Sequence, residues 1–216
     1  MKLYYLTDST HGLLNLALQR IKVSTFEDLN DPFELMPVNV RDKLFRARIR
    51  SVKERIAKER GLLCFSQDWG SPVMWAHYAD KHKGMALGFE VPKERVKNVV
   101  YTSTLLKIDN STFTDKELRD QFARNLITTK FSDWSYEKEK RLFVDLAECE
   151  IEGGLYFKNF SDDLKLTEVV IGERSNVTVQ RVKDLLRSNP YKVHVRKARS
   201  AFTKYGVTEN LTYRVK

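Results

Sequence analysis

Glu137, Glu139 and Arg141 stand at alternate positions within residues 132–146, SDWSYEKEKRLFVDL. Two carboxylates beside a guanidinium are residue types suited to proton transfer and to stabilising developing charge. Downstream, Leu142, Val144 and Leu146 alternate with Phe143 and Asp145, which predicts a strand with one face in a core. Carried back in register, that alternation puts Glu137, Glu139 and Arg141 together on the face opposite the leucines. Glu, Lys and Arg are poor strand formers, and local rules tend to fail at functional sites. Two plainer readings stay open: a solvated edge strand blunted by charge, or a helix with Glu137 and Arg141 as an i,i+4 pair.

Residues 73–82, VMWAHYADKH, read as a helix opened by Pro72 and ended by Gly84. Trp75, Tyr78 and His82 then share a face at i, i+3 and i+7. That face could stack a base or nicotinamide, or be a packed aromatic face with a structural histidine. Asn30, Asp31 and Pro32 predict a turn, with Phe33 and Glu34 leaving a pocket-lining loop open. Asp31, Glu34, Glu137 and Glu139 would suit Mg²⁺ if they met, since it takes oxygen ligands. Neither a nucleophile elbow nor a metal-ligand spacing of His or Cys is present.

The formal charge of +9 is concentrated in residues 41–60, which hold nine basic and three acidic side chains. Phe45, Ile49, Val52 and Ile56 form the apolar stripe of an amphipathic helix there. Arg46, Arg48, Arg50, Lys53 and Arg55 lie off that stripe, either facing phosphate of nucleic acid or nucleotide or forming a solvated face. No run spans a bilayer, and the N-terminus turns polar too early for a signal peptide. Cys64 and Cys149 give no disulfide framework, so a cytoplasmic setting is expected, with Cys64 as a core filler.

The elements that must position these residues are interspersed helices and strands without regular βαβ units. Strands are expected at 2–7, 21–24, 62–66, 85–91, 97–108, 142–146, 155–157, 164–171 and 193–195, with a final hairpin over 199–215. Helices are expected after Asp8 or Ser9, with Leu13, Leu14, Ala17 and Leu18 inward, after a Thr114–Glu117 capping box, and after Ser175 or Asn176. At 216 residues, the expectation is one α+β domain with mixed or antiparallel sheets and flanking helices.

Four motifs occur in order: residues 30–34 (NDPFE), 64–66 (CFS), 74–84 (MWAHYADKHKG) and 134–141 (WSYEKEKR), followed by VVIG at 169–172. Together they resemble the bacterial and phage-associated family called domain of unknown function 2971, over nearly the whole chain. A more distant likeness is to ADP-ribosyltransferases, where three motifs build a cleft for NAD. That resemblance maps the late Glu-x-Glu motif onto Glu137 and Glu139, the middle motif onto Ser66 or Trp75–Tyr78, and the first strand onto residues 4–7, including Tyr5 and Thr7. It implies Glu139 on a ribose hydroxyl, Glu137 activating an acceptor, and Arg141 pairing a carboxylate or phosphate. Trp75 or Tyr78 would stack on nicotinamide. Asn30, Asp31 and His82 are further candidates for cofactor binding, and a toxin or phage-defence setting is expected. Residues 2–7 lack the Arg or His such enzymes place on the first strand. Two further functions remain open, a nucleic-acid-binding module or nuclease and a non-enzymatic interaction protein.

Overall fold

The computed structural model describes residues 1–31, 33–34, 37–38, 43–108 and 111–213. Pro32 of the expected turn, Arg41 of the basic segment and the last residues of the expected hairpin lie outside these.

The strands are β1 (Lys2–Thr7), β2 (Arg20–Val23), β3 (Arg60–Ser66), β4 (Met85–Glu90), β5 (Val96–Asn98), β6 (Val100–Thr102), β7 (Thr129–Phe131), β8 (Glu139–Asp145), β9 (Glu150–Glu152), β10 (Leu155–Asn159), β11 (Lys165–Ile171), β12 (His194–Ser200) and β13 (Val207–Glu209). The helices are α1 (Ser9–Leu18), α2 (Lys43–Glu59), α3 (Pro72–Tyr78), α4 (Ser111–Thr114), α5 (Lys116–Thr128) and α6 (Val179–Leu185). This is the expected α+β class. Eight strands make one sheet in the order β13-β12-β11-β4-β1-β3-β8-β5. It is mixed, because β11 and β12 run parallel while the other neighbours with recorded pairing are antiparallel. Two smaller sheets are β2-β10-β9 and β6-β7.

Alternation along the central strands splits the core between the two sheet faces. Leu3, Leu87, Phe89, Val169 and Ile171 belong to one cluster. Leu6, Ala86 and Val170 belong to another, with Trp75 and Ala79. A third cluster joins Val38 and Ile49 to Phe122 and Leu126, packing α2 against α5.

One seam of the large sheet is thin. β1 pairs β4 over six residues and β3 pairs β8 over seven, whereas β1 meets β3 at the single pair Tyr4↔Ser66. The two strands therefore leave room between them at the centre of the sheet.

Several local expectations are corrected. Asp8 caps α1 by accepting from Thr10 N and His11 N, but the buried side of α1 is Gly12, Asn15 and Leu16, while Leu14 and Leu18 are exposed. Close packing explains the shift: a Cβ on Gly12 would lie 2.4 Å from Met85 Sδ, so the helix rests there on its glycine. Asp115, not Thr114, caps α5, and Thr178, not Ser175 or Asn176, caps α6. The expected strand at 97–108 is broken into β5 and β6. The helix at 73–82 ends at Tyr78, because Asp80, Lys81 and His82 take positive φ of 43°, 53° and 72°. That tight turn reaches Gly84, whose hypothetical Cβ would lie 2.1 Å from Thr7 O, so only glycine fits against β1.

Candidate functional site

The opening between β1 and β3 is a cavity of about 200 Å³. Tyr4, Tyr5 and Leu6 wall it from one strand, and Cys64, Phe65 and Ser66 from the other. Asn30 and Glu34 close it from the loop after β2, Tyr78 from the end of α3, and Lys130 from β7. Glu137 and Glu139 line it too, as does Asp28.

Glu137 does not arrive as expected. β8 starts at Glu139; Lys138 is left-handed (φ 47°), and Glu137 ends a 3-10 turn, Ser132–Glu137. The turn is tied down where Ser66 Oγ donates to Glu137 O at 2.8 Å. Glu139 and Arg141 do share a β8 face, opposite the core residues Leu142 and Val144. Glu139 N also donates to Tyr101 Oη at 2.8 Å; burial pushes the Tyr101 hydroxyl up to about 12.

Three buried carboxylates, Glu34, Glu137 and Glu139, surround two buried cations, Lys130 and Arg141. Lys130 Nζ lies 2.6 Å from Glu137 Oε2, 3.1 Å from Glu139 Oε2 and 3.5 Å from Glu34 Oε1. Arg141 donates from Nε to Glu139 Oε1 at 2.7 Å and from NH2 to Glu34 Oε1 at 2.6 Å. Its NH1 takes the Ile127 carbonyl at 2.8 Å, at the end of α5. Charges this deep persist only when paired and hydrogen-bonded. Three acids against two cations leave one surplus negative charge.

The two carboxylates of the late motif differ sharply. Burial raises Glu137 above the usual carboxylate value, and Lys130 only partly offsets it. Its Oε1 accepts from Tyr78 Oη, which in turn accepts from Asn30 Nδ2 at 2.8 Å. Burial also raises the Tyr78 hydroxyl, with Glu137 adding to it. Burial works against ionisation of Glu139 too, but Arg141 and then Lys130 overcome it and hold Glu139 at about 2. Cys64 on β3 stands opposite Arg141, and burial, reinforced by Glu139, pushes its thiol up. A carboxylate has about four acceptor positions, and Arg141 and Lys130 together take three of those on Glu139.

Of the residues singled out from sequence, Tyr5, Asn30, Ser66, Tyr78, Glu137 and Glu139 line this cavity. Arg141 is fully buried behind Glu139 rather than in the wall. Thr7 pairs with Met85 at the far end of β1. Asp31 is buried in its own turn, where Oδ1 accepts from Phe33 N at 2.9 Å. Trp75 is fully buried in the cluster that Tyr78 packs against and does not line the cavity; its Nε1 donates to Trp69 O at 2.6 Å. His82 stacks on Trp75, ring centroids 6.3 Å apart, from beyond the helix end. The predicted Trp75–Tyr78–His82 face forms only in part: Trp75 and Tyr78 meet in one cluster, but the helix stops at Tyr78, so His82 reaches Trp75 from the turn beyond it and not at a helical i+7 position. Glu34, Glu137 and Glu139 do converge, but on ammonium and guanidinium; among the described residues no group of His, Cys, Asp or Glu is placed to hold a metal ion. Lys130, at the hub, was missed: it follows α5 in a three-residue strand too short to show a face.

Arg46, Arg48, Arg50 and Arg55 are exposed on α2, and Lys53 is half-buried. No helix among the described residues is long and apolar enough to cross a membrane.

Fold and site together define an α+β protein with a tyrosine-walled cavity floored by a buried ion network. Residues 74–142 match the family model described as "Protein of unknown function (DUF2971)", so over that segment the chain is similar to this family. The matched segment holds Tyr78, Lys130, Glu137, Glu139 and Arg141, the greater part of the network. No curated protein and no solved structure matches the chain.

Proposed function

We propose that the chain is an enzyme acting at the sugar carbon of a nucleotide-type donor such as NAD, with Glu137 as the reacting carboxylate. One observation carries this reading: neighbouring glutamates in one site are driven apart, Glu137 raised by burial and Glu139 held at about 2 by Arg141 and Lys130. Such separation in a concavity marks an acid–base assignment.

The residues fit part of such a donor. At about 200 Å³ the cavity is at the small end of ligand pockets and suits one ring and its sugar. Tyr4, Tyr5 and Tyr78 offer ring faces, and Asn30 offers an amide. Among the described lining residues the sole cation, Lys130, is committed to the glutamates, so phosphates would lie outside the cavity. The bound donor supplies a bond between its sugar carbon and its base, and the bonding pair leaves with the base. Glu137 takes the proton of the acceptor hydroxyl as that oxygen bonds to the sugar carbon. Tyr78 and Lys130 fix the Glu137 carboxylate by one oxygen each, which removes its rotational freedom. Glu34 and Glu139, both bonded by Arg141, hold Lys130 in place; with three bonds to those two cations, Glu139 is a positioning residue here rather than a ribose ligand.

The test is base release from NAD and from simple nucleotides, followed chromatographically, for the native protein and Glu137→Gln. Native turnover with a loss of about 10²-fold or more in the variant is expected. A folded native protein that releases no base from any of these donors refutes the reading.

A second reading, nucleic-acid binding, is favoured by α2. Arg50, Lys53 and Arg55 form no ion pair among the described residues. Such uncompensated cations suit a phosphate backbone.

A further inference from the structure

Lys130 lines a second cavity, of about 250 Å³, whose other walls include Phe33, Pro37, Leu105 and Phe131. Phe33, Leu105 and Phe131 are 59%, 48% and 43% exposed, an open apolar slot beside a buried ion network. Among the described residues Lys130 is the sole charged group it shares with the first cavity.

The slot is built into the platform that carries α2. Val38 and Leu106 form a parallel bridge, and Leu106 N donates to Pro37 O at 2.5 Å. Pro37 and Leu105 face the slot, while Val38 packs with Ile49 of α2 and with Phe122 and Leu126 of α5. The platform that walls the slot thus also carries α2, which holds seven basic and two acidic residues over positions 43–59 and, among the described residues, lines no part of the slot itself. Arg50 and Lys53 sit close together on it, and burial, reinforced by Arg50, depresses the Lys53 ammonium. Two cations held together without a carboxylate are stabilised by an anion arriving from outside.

We propose that the slot receives an unpaired base of a single-stranded nucleic acid whose phosphates run along α2, and that this strand is the acceptor served by Glu137. The acceptor role rests on the reading proposed above; the binding does not. The apolar rings supply a stacking surface that any base can use, and the helix supplies charge for the backbone. A small apolar ligand would leave the α2 cations unanswered. A paired duplex would leave the slot empty, because its bases are stacked inward.

Fluorescence anisotropy of the full chain with labelled single-stranded oligonucleotides, and with the matching duplex, tests this at about 50 and about 200 mM salt. Single strands should bind more tightly than duplex. Phe131→Ala and Leu105→Ser, both at half-exposed positions compatible with folding, should each weaken single-strand binding about tenfold without changing its salt dependence. Arg50→Glu with Lys53→Glu should weaken it and lower the slope of log affinity against log salt by about 1.4. The proposal is overturned by absent binding at low salt, by tighter duplex binding, or by slot variants that bind like native. Binding intact with no base release removes the enzymatic reading, and the acceptor role with it, and leaves the binding. Base release intact with no oligonucleotide binding removes this proposal alone.

Discussion

Replacing Glu139 by Gln keeps the side chain's shape and removes one charge from the buried network. In the native protein Glu139 is held at about 2 against an ordinary 4.5, chiefly because Arg141 and Lys130 overcome the cost of burial. At about 1.4 kcal/mol for each tenfold of proton affinity, that gap corresponds to about 3 kcal/mol favouring the folded, ionised state. A depressed carboxylate stabilises the fold above its unfolded value, and that contribution fades as pH falls from 4.5 toward about 2. Glu139→Gln should therefore cost about 3 kcal/mol at pH near 7 and progressively less on acidification, because the protonated native side chain comes to resemble glutamine. Partial relief from the surplus negative charge would shrink the cost, whereas the loss of acceptors for the fully buried Arg141 would enlarge it. Urea unfolding of both proteins across the acid range provides the measurement. Equal destabilisation at neutral and acid pH, or none at neutral pH, would refute the assignment of Glu139 as the network's ionised anchor.

Glu137 carries the opposite sign. Its proton affinity is raised in the folded state, so its ionisation opposes folding as pH rises through its range, and Glu137→Gln should be no less stable than the native protein at pH near 7 while base release is lost. A large loss of stability in that variant, seen in the same urea curves, would make Glu137 a structural residue. Trp75→Ala should destabilise by about 3–5 kcal/mol, since it empties a fully buried position; ligand affinity of the folded fraction, read by titration, should stay as in the native protein, and a selective affinity loss would return Trp75 to the site. Cys64, whose thiol burial and Glu139 raise well above the ordinary range, should resist iodoacetamide in the native protein and react on unfolding; mass spectrometry showing rapid native labelling would contradict its place against Glu139.

Local periodicity was enough for the amphipathic stripe of α2 around Ile49, for the alternation of Leu142 and Val144 in β8, and for the α+β class. These follow from backbone repeats of 3.6 and 2 residues, which any sequence window displays. The site needed more. Extending the β8 alternation back to Glu137 foundered on Lys138, whose left-handed backbone breaks the strand and hands Glu137 to a turn. Extending the α3 spacing to His82 foundered on the left-handed residues 80–82. Positive φ at non-glycine residues has a conformational cost met by tertiary contacts, such as Gly84 seated against Thr7 O.

Lys130 shows the same limit from another direction. Its partners Glu34, Glu137 and Glu139 come from separate parts of the chain, and their meeting depends on where α5 ends and how β8 registers against β3. The chemical types needed for a buried ion network were present in the sequence from the start. Their convergence, and the cavity left where β1 and β3 are paired at Tyr4 and Ser66 alone, were decided by strand order and register, because pairing between distant segments has no counterpart in local spacing.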